Sequence, residues 1–216
     1  SDIEEKQALA VCPGIAIDYR HKIPSSADLD LLGEWGPVLD VLEGYSIDND
    51  IRLKSSSGGV VTALAAFGIS SRAATGVLQV GASKKTPYKN ETRYNTTVEQ
   101  VLNSCGSRYS PASPCEKFSE IIHSEGKSIF IGKPCDVAAL YKARKVIPEL
   151  DEKILLTVSI FCAATPSTQG TTTLINQLGE NNLSNVRRMR YRGYGWPGNA
   201  CIESAESETE TRITVR

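Results

Sequence analysis

A near-continuous apolar run, Ile154-Leu-Leu-Thr-Val-Ser-Ile-Phe161, reads as a central strand buried on both faces. Such a strand needs a covered sheet, which points to an α/β architecture. The neighbouring segments supply its parts. Apolar spacing predicts helices from Gly58 to about Phe67, Thr97 to Asn103, Phe118 to His123, Cys135 to Arg144 and Thr168 to Leu178. Strands are expected at Gly76-Val-Leu-Gln-Val-Gly81 and Lys127-Ser-Ile-Phe-Ile-Gly132, with Gly68 and Gly179 as helix stops. Beyond Gly179 the pattern changes to alternation, and Val186–Tyr191, Ala200–Ala205 and Thr211–Val215 read as antiparallel strands. The expected fold class is α/β: a mixed sheet with crossover helices, followed by a C-terminal antiparallel meander. The stretch from Tyr19 to Gly36 has no clear period and reads as a connector.

Lys54-Ser-Ser-Ser-Gly-Gly-Val-Val-Thr-Ala-Leu64 is the strongest chemical signal. Three serines and two glycines open directly into a helix, with Ser57 the expected cap. Unpaired N–H groups in a first turn, with the helix dipole, favour a phosphate or pyrophosphate, and Lys54 adds a charge beside them. A capped core helix after a flexible loop accounts equally well for these residues. No Gly-Lys-Ser/Thr follows the loop, so a P-loop is unsupported.

In open α/β sheets ligands sit beyond the carboxyl ends of strands. Three loops qualify: Lys54–Gly59, Gly132-Lys-Pro-Cys135 and Phe161-Cys-Ala-Ala-Thr-Pro-Ser167. Two of them place a cysteine, Cys135 or Cys162, just past a strand end. There a helix N-terminus stabilises the thiolate that binds iron or zinc or attacks an electrophile. Two semi-buried thiols would satisfy the same pattern, and two cysteines do not complete a four-cysteine site. The six cysteines include no Cys-x-x-Cys pair, which excludes a self-contained zinc ribbon or ferredoxin repeat. Cys105, Cys115 and Cys201 read as core or surface thiols. His21 and His123 lack a paired carboxylate signature, so a triad has little support.

Composition sets limits on the partners. With 216 residues, 40% of them hydrophobic, the chain can bury a core, and a net charge of -1 provides no field for nucleic acid. No apolar run is long enough to span a bilayer and no signal-peptide core precedes the fold, so a cytoplasmic location is expected. The basic run Arg187, Arg188, Arg190 and Arg192 would set Arg188, Arg190 and Arg192 on one strand face, toward solvent, an anionic cofactor or a partner.

Four motifs in order carry a family resemblance: Lys54–Leu64, Gly106-Ser-Arg-Tyr-Ser-Pro111, Ile131-Gly-Lys-Pro-Cys-Asp-Val-Ala-Ala-Leu140 and Phe161-Cys162. Together they closely resemble the coenzyme F-420 hydrogenase/dehydrogenase beta subunit family, from about Gly36 through Arg190-Tyr-Arg-Gly-Tyr-Gly-Trp-Pro197 to Gly198. The resemblance implies a flavin-dependent oxidoreductase module carrying FAD beside a 4Fe–4S cluster. It would move electrons between the two, with hydride transfer to or from a small organic acceptor such as a deazaflavin. Carried over by position, Ser55, Ser56, Ser57, Gly58, Gly59 and Thr62 would hold the FAD pyrophosphate, with Lys54 beside them. Ser107 and Arg108 would lie near the flavin, Gly132, Lys133 and Pro134 would line the same pocket, and Cys135 and Cys162 would be cluster ligands. The catalytic residues are left open. The resemblance also implies a ferredoxin-like or dehydrogenase partner subunit.

The chain departs from the family where it lacks a downstream Cys-x-x-Cys and a cysteine-rich ferredoxin-like N-terminal segment. It therefore reads as a fragment: residues 1–39 a connector after a missing segment, 40–110 the FAD-binding part, and 111–216 a truncated C-terminal part. The alternative is a non-catalytic accessory or interaction subunit that keeps the fold alone.

Overall fold

The computed structural model describes residues 2–17, 26–28, 30–195, 198–205 and 211–213. In chain order the helices begin with α1 (Asp2–Val11), α2 (Leu32–Trp35), α3 (Asn49–Lys54) and α4 (Val60–Ser70). Strands β1 (Gly76–Ala82) and β2 (Asn90–Asn95) follow, then α5 (Val98–Asn103), α6 (Phe118–Ile122) and β3 (Ser128–Gly132). The chain continues through α7 (Pro134–Val146), α8 (Pro148–Lys153), β4 (Ile154–Ser159) and α9 (Thr168–Gln177). It closes with β5 (Val186–Arg190), β6 (Ala200–Ser204) and β7 (Thr211–Ile213).

Among the described residues the strands form a four-stranded sheet in the order β2-β1-β3-β4 and a three-stranded sheet in the order β5-β6-β7. β3 runs parallel to both β1 and β4, whereas β2 is antiparallel to β1. β5, β6 and β7 are antiparallel throughout. The mixed sheet followed by a meander is thus the expected architecture. The expected strand residues Thr214 and Val215, and much of the connector after Tyr19, lie outside the described residues.

Alternation along each strand sends side chains into two cores. Val77, Ile129 and Ile131 pack under α4 and α5 with Ala65, Ala66 and Val101. Leu78 and Phe130, each one residue out of phase, pack against Ile121, Leu140, Ala143 and Leu150 of α6, α7 and α8. A third cluster joins α9 to the second sheet through Ile175, Leu178, Val186, Met189, Tyr191 and Ile202.

Four local expectations are corrected. β4 is an edge strand, not a central one, and Leu155 and Leu156 are 42% and 40% exposed. Gly68 is not a stop: α4 runs on to Ser70, and a Cβ at Gly68 would lie 2.4 Å from Ile129 Cδ1. That glycine lets the helix lie close on the sheet. β2 has no counterpart in the expected strands, because Asn-Glu-Thr-Arg-Tyr-Asn carries little apolar alternation. The N-terminal connector instead opens with α1, held against α7 by Lys142 Nζ, which donates to the carbonyls of Cys12 (2.9 Å) and Ala16 (2.8 Å). No helix among the described residues is long and apolar enough to cross a membrane.

Candidate functional site

The Ser/Gly loop begins where α3 ends. Asp48 caps α3 by accepting from the N–H groups of Asp50 and Ile51. Ser55 is buried and donates to Thr62 Oγ1 at 3.2 Å, while Ser56 Oγ accepts from the Ser107 N–H at 3.2 Å. The second bond ties the loop to the Gly-Ser-Arg-Tyr motif 51 residues away. Ser57, Gly58 and Gly59 follow with φ of 51°, 73° and 77°, three left-handed residues in succession.

The expected Ser57 cap does not form. A side-chain cap needs extended backbone at the capping residue, and Ser57 is left-handed. Gly59 occupies the cap position of α4 and supplies no side-chain bond to its first turn. Added Cβ atoms at Gly58 and Gly59 would lie 3.1 Å from Tyr45 Cβ and 3.1 Å from Ile51 Cγ2. Both glycines therefore serve the chain's own close packing as well as its backbone conformation. Lys54 points its exposed ammonium toward Asp50 at 3.7 Å. Its carbonyl accepts from the Arg190 guanidinium.

Arg108 is a clamp between the two sheets. Its Nε donates to Asn90 Oδ1 (2.8 Å), its NH1 to the Met189 carbonyl (2.8 Å), and its NH2 to the Pro87 (2.9 Å) and Lys89 (3.0 Å) carbonyls. Burial pulls its pKa down, offset in part by Tyr191. With its donors committed to protein oxygens, Arg108 shapes the site's wall.

The second half of the site follows from strand register. Gly132 of β3 is paired with Ser159 of β4, and the Ile160 N–H donates to the Gly132 carbonyl at 3.0 Å. Cys135, in the first turn of α7, and Cys162, on the segment after β4, each lie three residues beyond that pair at one end of the sheet. Both are exposed. A Cβ at Gly132 would sit 2.8 Å from Asp136 Cβ, so glycine allows α7 to start at once, with Pro134 in its first turn. Asp136 closes that start by accepting from the Lys133 N–H (3.1 Å) and from Lys133 Nζ (2.6 Å). Burial alone would lower the Lys133 pKa, but the bond and charge of Asp136, with smaller contributions from Cys135 and Cys162, raise it.

Cys115, read from sequence as incidental, lies at the same end. Its Sγ is 3.9 Å from the Asp136 carbonyl, and burial, then the Asp136 charge, push its pKa up to about 11. At pH 8 only about one Cys115 thiol in a thousand is ionised. Iodoacetamide at that pH should therefore leave Cys115 unmodified while alkylating exposed Cys135 and Cys162, as read by peptide mass mapping. Labelling of Cys115 at the rate of the exposed pair would contradict this placement. Among the described residues no three His, Cys, Asp or Glu side chains converge to hold a metal ion. Cys135 and Cys162 are the two exposed thiols at this end of the sheet, and Cys135 lies in the first turn of α7.

An open cleft of about 740 Å³ lies between α3, the β1–β2 connection, the end of α5, and β5. It is large enough for a small-molecule cofactor or substrate. Its lining carries Lys54, Lys84, Arg93, Arg108, Arg187, Arg188 and Arg190 against Asp48, Asp50 and Glu99. Of the expected site residues, Lys54, Ser55 and Arg108 line it, whereas Ser56, Ser57, Gly58, Gly59, Thr62, Ser107, Gly132, Lys133 and Pro134 do not. Arg190, Lys84 and Arg93 are not among the expected site residues. The strand-face pattern of the basic run is the available signal for Arg190, and the polar character of β2 hides Arg93.

Two family profiles match the chain in sequence order. The profile described as coenzyme F420 hydrogenase/dehydrogenase, beta subunit N-term, covers residues 41–119, and its C-terminal counterpart for the same beta subunit covers 126–215. The chain is 24% identical over 157 residues to coenzyme F420 hydrogenase subunit beta of Methanococcus voltae, covering 70% of this chain and 55% of that protein. A chain of the F420-reducing nickel–iron hydrogenase complex from Methanosarcina barkeri superposes with a TM-score of 0.60 at 20% identity. That superposition covers 79% of this chain and 58% of the other, and it speaks to fold. The chain thus spans just over half the length of these relatives.

Proposed function

Because the chain belongs to the coenzyme F420 hydrogenase/dehydrogenase beta subunit family, we propose that it is the electron-transfer module of an oxidoreductase. In this reading it binds FAD, contributes ligands to a 4Fe–4S cluster, and acts on an organic acceptor such as a deazaflavin. The observation that carries the proposal is the match of both family halves, in order, across 41–119 and 126–215.

The site's chemistry supports it. The first turn of α4 has no side-chain cap, and Lys54 lies at the end of α3 before the same loop, a combination suited to a pyrophosphate. Ser55 and Thr62 brace the loop from inside, and Ser57, Gly58 and Gly59 give it its left-handed path. Ser56, through Ser107, fixes it to the wall that Arg108 holds. Gly132, Lys133 and Pro134 set the start of α7, whose first turn carries Cys135 at the same end of the sheet as Cys162. Lys133 supplies a positive charge near both cysteines. When bound, FAD accepts electrons singly and delivers them as a hydride pair, which suits a junction between a cluster and an organic acceptor. The relatives carry the names of hydrogenase subunits, which supports a partner subunit here.

The test is flavin binding by the purified chain under anaerobic conditions. FAD should bind in one-to-one stoichiometry with quenched flavin fluorescence, and Gly59→Val, which forces a side chain onto Ile51, should abolish retention. Absence of flavin binding by the folded wild-type chain would overturn the proposal.

A further inference from the structure

A segment outside the cleft leaves its apolar side chains in water. Residues 39–45 form no helix, strand or turn, yet the segment is pinned at both ends. The Asp28 N–H donates to the Val38 carbonyl (2.7 Å), and the Ser46 N–H donates to the Gly58 carbonyl (2.8 Å). Between these anchors the backbone N–H and C=O groups of 39–45 bond to no other backbone group among the described residues. Leu39, Val41, Leu42 and Ile47 are mostly exposed, Leu42 to 85% and Ile47 to 95%. Trp35, at the end of α2, meets the ring of Phe161, itself 93% exposed, edge-on at 6.2 Å. Single exposed apolar side chains are ordinary. Two mostly exposed aromatic rings of about 150–250 Å² each, with four aliphatic side chains along one segment, exceed the ~300–600 Å² of the largest apolar patch on a typical monomer. The same segment is one-sided in charge. Residues 28–50 carry seven carboxylates and no lysine or arginine, in a chain that as a whole has 24 basic and 25 acidic residues. All seven are exposed, and Glu34, Asp40 and Glu43 have no ion-pair partner among the described residues.

We propose that residues 35–47, with Phe161, form the docking surface for a partner protein that lays an extended segment bearing apolar side chains and Lys or Arg against them. The open backbone groups of 39–45 accept an added strand, its apolar side chains cover Leu39, Val41, Leu42 and Ile47, and the carboxylates select its charge. A second copy of this chain is disfavoured, because a two-fold contact sets the same carboxylates against themselves. The acidic rim likewise repels nucleic acid and anionic membranes. None of residues 35–47 lines the cationic cleft, so the surface stands apart from the flavin reading.

The experiment is fluorescence anisotropy of labelled nine-residue peptides titrated with the 216-residue chain. One peptide alternates valine with lysine, one valine with glutamate, and one proline with lysine. The valine–lysine peptide should bind at least about tenfold more tightly than the valine–glutamate peptide. It should also bind at least about tenfold more tightly than the proline–lysine peptide, whose prolines lack the N–H groups that a strand donates. Leu42→Ser/Ile47→Ser should weaken the valine–lysine peptide at least about tenfold, and Asp40→Lys/Glu43→Lys should narrow its preference over valine–glutamate about threefold or more. All four side chains are exposed, so both variants should keep their circular dichroism and melting temperature. No binding of the valine–lysine peptide to the folded wild type, or unchanged binding in either folded variant, overturns the inference. A proline–lysine peptide that binds equally well shows charge attraction alone and overturns the added strand. Sedimentation equilibrium should find a monomer, and a wild-type dimer that Leu42→Ser/Ile47→Ser dissolves gives the surface to a second copy and overturns the partner. These readouts need no flavin, so a chain that fails to bind FAD loses the flavin reading and keeps the docking surface.

Discussion

Arg108→Met should destabilise the chain by about 3 kcal/mol or more, read as a shift in the urea midpoint. The substitution keeps an apolar stem but removes the donors to Asn90, Met189, Pro87 and Lys89, leaving oxygens of two sheets without partners. Each buried acceptor so orphaned costs about 1–3 kcal/mol, less where water can reach it. Arg108→Lys should recover only part of the loss, because one ammonium cannot span the same fork of acceptors. The loss should be uneven. Arg108 joins the β1–β2 connection to β5, so probes on the second sheet, such as Tyr191 fluorescence, should report unfolding before probes on the first. A variant as stable as the wild type, with coincident transitions, would show that the packing of Tyr109 on Tyr191 (5.4 Å) joins the sheets without the clamp.

The layered fold was legible because Val77, Leu78, Ile129, Phe130 and Ile131 alternate between two helical layers, and alternation is a local signal. What was hidden is what depends on distant residues. Ile154–Phe161 is apolar enough for a central strand, but composition does not state how many neighbours a strand has, and among the described residues β4 pairs only with β3. Gly68 resembles a helix stop until Ile129, 61 positions onward, fills the space over it. β2 is polar because its buried Thr92 and Asn95 are satisfied by the Ser113 carbonyl and Ser104 Oγ, partners that no window along β2 contains.

The site divides in the same way. Cys135 and Cys162 could be paired from sequence because both follow strand ends, and the register of β3 and β4 sets them in equivalent positions. Residues 54–59 were recognisable as a special loop, but the reason for its glycines was not. Tyr45 and Ile51, which precede it, pack within 3.1 Å of where side chains at Gly58 and Gly59 would begin. Cys115 was missed because the turn Pro114–Lys117 gives no periodic signal, and only packing against α7 brings it to Asp136.

Cys135→Ala and Cys162→Ala should each remove nearly all iron from the chain after anaerobic reconstitution with iron and sulfide. In the proposed ligand role the two thiols would act as a chelate: once one binds, the other would be held at high effective concentration by the paired ends of β3 and β4. Removing either leaves one exposed thiolate, which competes poorly with free sulfide, so the expected loss is tenfold or more and nearly the same for both variants. Cys105→Ala and Cys201→Ala should retain wild-type iron, since Cys201 is buried in the second sheet and Cys105 donates to the Lys54 carbonyl at 3.6 Å. The wild-type chain should also stop short of one 4Fe–4S cluster per chain, because such a cluster takes four ligands and the assignment supplies two. Iron and acid-labile sulfide analysis measures both quantities. Iron content indifferent to the two substitutions would return Cys135 and Cys162 to the role of ordinary surface thiols. A full cluster on the wild-type chain would instead require two more ligands from within it and end the two-ligand assignment.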